Sequence, residues 1–137
     1  MIRISADRSE VDLDWLHAAL AERSYWALGR SREMVERSVA NSLCFSAFDA
    51  ARQVGFARVV TDQATFAWVC DVFVDDDRRG QGIGRKLMAA VTDDPRLVGL
   101  KRIVLVTSSA DFYTPFGFAP IDGPERWMLR QGPGPAD

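Results

Sequence analysis

The sequence predicts an α/β domain of the α+β type, built on a mixed, mostly antiparallel sheet. Three features carry that prediction. Leu43 to Phe48, Gln53 to Thr61 and Phe66 to Val74 are β-rich runs joined by Asp49-Ala50-Ala51-Arg52 and Asp62-Gln63-Ala64-Thr65, links short enough to make an antiparallel meander. Leu13, Leu16 and Leu20, then Met34, Val35, Ser38 and Val39, then Ile83, Leu87 and Val91 recur at helical spacing. Ile103-Val104-Leu105-Val106 is a continuous apolar run following a helix, the pattern of a strand covered on both faces and parallel to its neighbour.

Taken in order, Ile2 and Ile4 alternate with Arg3 and Ser5 as a first short strand. Ser9-x-x-Asp12 is a capping pair ahead of the Leu13 helix, and Gly29 with Ser31 ends that helix and starts the next, which runs to Asn41-Ser42. After the meander, the helix from Ile83 stops near Asp93-Asp94-Pro95, because proline restricts the residue before it and has no N–H to continue the ladder. Trp127-Met128-Leu129 is expected as the last strand. Residues 131–137 hold too little apolar surface to order themselves, so the domain is expected over 1–130 with a disordered tail.

Composition bounds the function. At 137 residues, with 47% hydrophobic and 26% charged residues, the chain fits one globular domain that buries enough surface to need no staples. A net charge of -2 disfavours an electrostatically driven nucleic-acid partner. Cys44 and Cys70 are far apart and His17 is the only histidine, so no metal site is expected and both cysteines read as reduced strand residues. No apolar run approaches bilayer-spanning length and the first residues lack a signal-peptide core, so a cytoplasmic protein without a membrane partner is expected, monomeric or homodimeric.

The chemistry concentrates at Val72-Phe73-Val74-Asp75-Asp76-Asp77-Arg78-Arg79-Gly80-Gln81-Gly82-Ile83-Gly84-Arg85-Lys86-Leu87. A strand breaks into an Arg/Gly loop that opens a helix. Glycines bring backbone N–H groups close to a ligand, and the helix aims its positive end there, which suits a phosphorylated ligand. Two familiar glycine loops fail on their offsets. A P-loop needs Gly-Lys-Ser/Thr, whereas Gly84 is followed by Arg85, Lys86 and Leu87; a dinucleotide fingerprint needs glycine or alanine at Leu87 or at Arg85.

Arg79-x-x-Gly82-x-Gly84 does resemble the acyl-coenzyme A signature of the GNAT family of N-acetyltransferases, Gln/Arg-x-x-Gly-x-Gly/Ala. Ala110-Asp111-Phe112-Tyr113-Thr114-Pro115-Phe116-Gly117-Phe118 resembles that family's second signature, an aromatic-Tyr pair followed by Gly-Phe. The element order is similar to the family's fold from about Met1 to Arg130, which implies helices on both faces of the sheet. The resemblance implies acetyl-coenzyme A as donor. Main-chain groups of Val72, Phe73 and Val74 would pair with its pantetheine arm, and Arg79, Gly80, Gln81, Gly82, Ile83 and Gly84 would take the pyrophosphate.

The implied function is acetyl transfer to a primary amine of a small molecule or a protein, by direct attack in a ternary complex. The alternative is a non-catalytic acyl-coenzyme A sensor or interaction module. Tyr113 matches the family's tyrosine, which commonly protonates the departing sulfur; the alternative is an aromatic core residue. A main-chain N–H near Val72 would stabilise the oxyanion. Asp71, a carboxylate inside the apolar run Trp68 to Val74, is either a base whose proton affinity burial raises, or a carboxylate satisfied by an arginine such as Arg58, or a bulge residue facing solvent. Tyr25, Trp26 and Arg30, beside the Gly29 hinge, together with Arg58, are candidate acceptor-binding residues; the two aromatics could equally seal the helices on the sheet. Trp15, Trp68 and Trp127 read as packing residues, and Ser108 and Ser109 stand where the family often has asparagine.

Overall fold

The computed structural model describes residues 1–134. Strand β1 (Ile2–Ser5) leads through a 3-10 turn, Arg8–Glu10, into helix α1 (Leu13–Ala18). Asp12 caps α1 by accepting the Trp15 N–H at 3.0 Å, satisfying one of the donors a helix start leaves open. Ser9 is no part of that cap. It sits inside the 3-10 turn, where Asp7 accepts its N–H at 2.9 Å, because the chain turns once more before the helix begins. α1 passes directly into a π-helical turn, Ala19–Arg23. The following loop folds back: Gly29, at φ 78°, donates its N–H to the Ala21 carbonyl at 2.9 Å. Helix α2 (Arg32–Ala40) then starts at Ser31, whose hydroxyl accepts the Met34 N–H at 3.1 Å.

Strands β2 (Leu43–Asp49), β3 (Arg52–Thr61) and β4 (Phe66–Val74) form the expected meander, and β1 joins β2 antiparallel. Helix α3 (Ile83–Asp93) crosses over to β5 (Arg102–Val104), which pairs parallel to β4. The sheet order is β1-β2-β3-β4-β5. A short helix α4 (Ala110–Tyr113) follows.

Two cores lie on opposite faces. α3 buries Ile83, Leu87, Met88 and Val91 against Phe45, Ala47, Val59 and Val69, each such side chain being worth about 1.5–3 kcal/mol relative to exposure. Gly55 lets α3 come this close, since a Cβ there would stand 3.1 Å from both Ile83 and Leu87. On the other face Leu16, Leu20, Val35 and Val39 pack on Cys44 and Phe56. Among the described residues, no helix is long and apolar enough to cross a membrane.

Two further expectations fail. β5 covers three residues rather than the whole apolar run, and Val106 is 80% exposed rather than covered on both faces, because the chain leaves β4 after Val104. Trp127-Met128-Leu129 forms no strand. Gly123 and Pro124 turn the chain just before it, and β5 offers too short an edge for a ladder, so Met128 and Leu129 stay exposed. Of the tail expected over 131–137, residues 131–134 have no helix or strand, and 135–137 lie outside the described residues.

Candidate active site

β4 touches β5 only through Phe66↔Arg102, Ala67↔Ile103 and Trp68↔Val104. Beyond Trp68 the two strands part, and Val69 to Val74 line an open cleft of about 1530 Å³ with Leu105, Val106 and Thr107 across from them. That exceeds the roughly 300–1,000 Å³ of a small-ligand pocket and suits an elongated ligand.

The parting has a local cause. On its other side, β4 pairs with β3 as Phe56↔Phe73 and then Arg58↔Cys70, so two residues of β4, Asp71 and Val72, oppose Ala57 alone. This is a β-bulge, which kinks the strand and increases its twist. Asp71 carries the distortion at φ 52°, in the left-handed region that aspartate tolerates better than most residues.

The Asp71 side chain is 2% exposed and fully engaged. Trp26 Nε1 donates to Oδ1 at 2.9 Å; Arg58 Nε and Arg30 Nη1 donate to Oδ2 at 2.8 and 3.0 Å. Of the readings open from sequence, the geometry matches the arginine-satisfied carboxylate; Asp71 is also at a bulge, but it is buried and does not face solvent. Each oxygen already accepts at least one of these hydrogen bonds.

At the C-terminal end of β4, Gly80 and Gly82 both have positive φ, 81° and 80°, with open space where a Cβ would stand. Gly82 precedes α3, and no side chain caps the helix start, so the first-turn N–H groups face the cleft mouth. Arg78, Arg79 and Arg85 line the same end. This is a cradle fitted to an anionic phosphate group. Gly84 serves differently: a Cβ on it would stand 3.1 Å from Phe112 Cζ, so its bareness seats α4 against α3. Arg79 pairs with Asp76 at 2.9 Å, Ile83 anchors the helix in the core, and Gln81 does not line the cleft.

Tyr113, next to Phe112, lines the cleft where β5 has peeled away. Its ring is held edge-on by Phe112 and Phe118 at centroid distances of 4.8 and 6.0 Å. Burial, and then the neighbouring Tyr25, push its phenol above the ordinary value of 10.0, so it keeps its proton through the neutral range. Tyr25 and Trp26 do not seal the helices on the sheet. They are 73% and 37% exposed, stack edge-to-face at 5.0 Å, and line the far end of the cleft with Arg30 and Arg58. Tyr25 Oη lies 3.2 Å from Ser108 Oγ and bridges the cleft mouth.

Several lining residues were not among the sequence candidates: Arg23, Val60, Trp68, Cys70, Ser108 and Phe112. Trp68 and Val60 face each other across β3 and β4, on the side that α1 and α2 leave uncovered. The alternation of Trp68 with Cys70 in β4 is the one sequence signal that places them on a common face.

Residues 40–120 match the model of the acetyltransferase (GNAT) domain. The chain belongs to the GNAT family. It is therefore an N-acetyltransferase by family, and the relatives agree. A protein of Xanthomonas campestris pv. campestris assigned to the GNAT family is 40% identical, with a TM-score of 0.94 over 98% of this chain and 95% of that one. A Gibberella zeae protein classed with the acetyltransferases is 24% identical over 127 residues, covering 77% of this chain and 71% of the other. A GNAT-family acetyltransferase of Brucella melitensis, solved in complex with acetyl-coenzyme A, has the same fold at 19% identity and a TM-score of 0.68, covering 87% and 83% of the two chains.

Proposed function

We propose that this GNAT protein, a single catalytic domain over residues 1–130, transfers an acetyl group from acetyl-coenzyme A to a primary amine by direct attack in a ternary complex. The observation that carries the reading is one continuous cleft. It joins a glycine cradle at the start of α3, an unpaired edge of β4 and a protonated Tyr113. When bound, acetyl-coenzyme A supplies an activated thioester.

The chain's own groups divide the work. Uncapped N–H groups from Gly82 to Gly84, with Arg78, Arg79 and Arg85, hold the pyrophosphate. Main-chain groups of Val72, Phe73 and Val74, on the edge of β4 that β5 leaves open, align the pantetheine arm as an added strand, and the Val72 N–H faces developing negative charge on the carbonyl oxygen. Tyr113 Oη carries the proton that the departing sulfur needs. Asp71 holds the bulge, and through Trp26 and Arg30 it fixes the loop on the acceptor side. With Asp71 the sole carboxylate among the described residues at that end and both its oxygens engaged, the amine proton leaves through water.

Free-thiol release from acetyl-coenzyme A across a panel of amines tests the reading. Release should require the amine. Tyr113→Phe should lower kcat by about a hundredfold or more, the range of general acid catalysis, while calorimetry shows unchanged acetyl-coenzyme A affinity. Absence of both binding and thiol release would overturn the proposal.

A further inference from the structure

Attack on a thioester needs a free amine lone pair, yet most alkyl amines are ammonium ions near pH 7. A site for such ions offers an anion to receive them or a base to deprotonate them. The acceptor end of this cleft offers neither. Among the described residues lining it there is no histidine and no glutamate, and Asp71 is the sole carboxylate. Both of its oxygens are already taken, by Trp26 on one side and by Arg30 and Arg58 on the other.

The other titratable neighbours are protonated donors or already bonded. Burial pushes the Cys70 thiol up to about 11, so it stays a neutral thiol. Tyr113 keeps its proton, and the Tyr25 hydroxyl is bonded to Ser108. Much of the remaining surface is apolar and aromatic: Tyr25, Trp26, Val60 and Trp68 are each between 37% and 73% exposed, and all four line the cleft. Such walls suit a flat or greasy body, and Arg30 and Arg58 at the same end outnumber the single carboxylate and oppose a further cation.

Resting on the acetyl-transfer reading above, we propose that the acceptor is a weakly basic primary amine attached to an apolar or aromatic body, lodged between Trp26 and Trp68. The strongly basic side chain of lysine is disfavoured. Two sources share this chemistry, the terminal α-amine of a peptide and an aromatic amine. Near pH 7.5 an α-amine is about one-third neutral and a lysine side chain about a thousandth, a difference of a few hundredfold in available nucleophile that this cleft has no group to make up.

The test gives the full chain acetyl-coenzyme A and one of three acceptors at pH 7.5, with acetylated product read by mass spectrometry. The acceptors are a lysine-free peptide beginning with phenylalanine, the same peptide blocked at its N-terminus and carrying one lysine, and a substituted aniline. The expected result is a kcat/KM at least about a hundredfold higher for the free α-amine or the aniline than for lysine, and the arm that responds identifies the source. Trp68→Ala should raise KM for the responding acceptor severalfold and leave KM for acetyl-coenzyme A unchanged. Lysine acetylated within tenfold of the better weak base would overturn the inference and leave the acetyl-transfer reading standing. Silence in all three arms would overturn the inference, and the acetyl-transfer reading falls with it only where calorimetry also finds no acetyl-coenzyme A binding.

Discussion

Replacing Asp71 separates structural from chemical work at the β4 bulge. The carboxylate is buried, accepts three donors at 2.8–3.0 Å, and sits on a backbone at φ 52°. Asp71→Ala removes the anion from a buried ion pair, a loss of about 3–5 kcal/mol, and leaves an ordinary side chain in a conformation that disfavours it. Asp71→Gly loses the same pair but relieves the backbone, so it should be more stable than the alanine variant by about 1 kcal/mol. Asp71→Asn keeps an oxygen for Trp26 and tolerates the positive φ, but it presents no charge to Arg58, and it should fall between wild type and glycine. Urea unfolding followed by tryptophan fluorescence gives the order, and acetyl-coenzyme A affinity should fall in the same order because the bulge opens the cleft. If all three variants lay within 1 kcal/mol of wild type while kcat alone collapsed, Asp71 would be a base and the positioning argument would be wrong.

Gly84→Val should weaken acetyl-coenzyme A binding and cost about 1–3 kcal/mol of stability, since the new side chain meets Phe112 at 3.1 Å; calorimetry and urea unfolding measure the two effects. Gly82→Ala has open space around it but stands at φ 80°, so about 1–2 kcal/mol should be lost with no change in packing, and KM for the donor should rise as the cradle rearranges. Cys44 and Cys70 both move from an ordinary 9.0 to about 11, chiefly through burial. The raised folded-state values mean that each thiol contributes stability below pH 9 and loses it as pH rises toward 11. The loss should reach about 2–3 kcal/mol per thiol, and a Cys70→Ala variant should show a shallower decline in its urea midpoint over that window.

Legibility from sequence followed whether a feature is written in single residues or in pairings. The glycine cradle was legible because positive φ at Gly80 and Gly82 admits few alternatives, and the β2-β3-β4 meander was legible because apolar runs and short links leave few topologies. The bulge was named only as one possibility at Asp71, since a two-against-one register belongs to β3 and β4 together and no letter in either strand announces it. Tyr25 and Trp26 could be core or cleft until the π-helical turn at Ala19–Arg23 and the return at Gly29 set where that loop goes. Trp127-Met128-Leu129 had the composition of a strand without an edge to pair with. Composition alone does not supply a ladder.

The cleft-facing stretch of β4 is held at both ends by one device used twice. At its start, Asp71 receives the Trp26 indole and the Arg30 guanidinium; just past its end, Asp75 receives the Trp15 indole at 3.0 Å and the Arg23 guanidinium at 3.1 Å. Each aspartate is nearly buried, and each tryptophan and arginine comes from the helical layer between α1 and α2 or from its borders. Val72, Phe73 and Val74 lie between the two clamps. These three residues have no strand partner on the β5 side, so nothing in the ladder itself would keep that edge straight against thermal motion. Fixing its ends from the opposite face leaves the edge open without leaving it loose. An added strand therefore meets a preformed set of donors and acceptors and loses little free energy to ordering them. It follows that the two buried aspartates, Asp71 and Asp75, support the donor-binding edge from its ends, while the arginines and glycines of the cradle meet the phosphates.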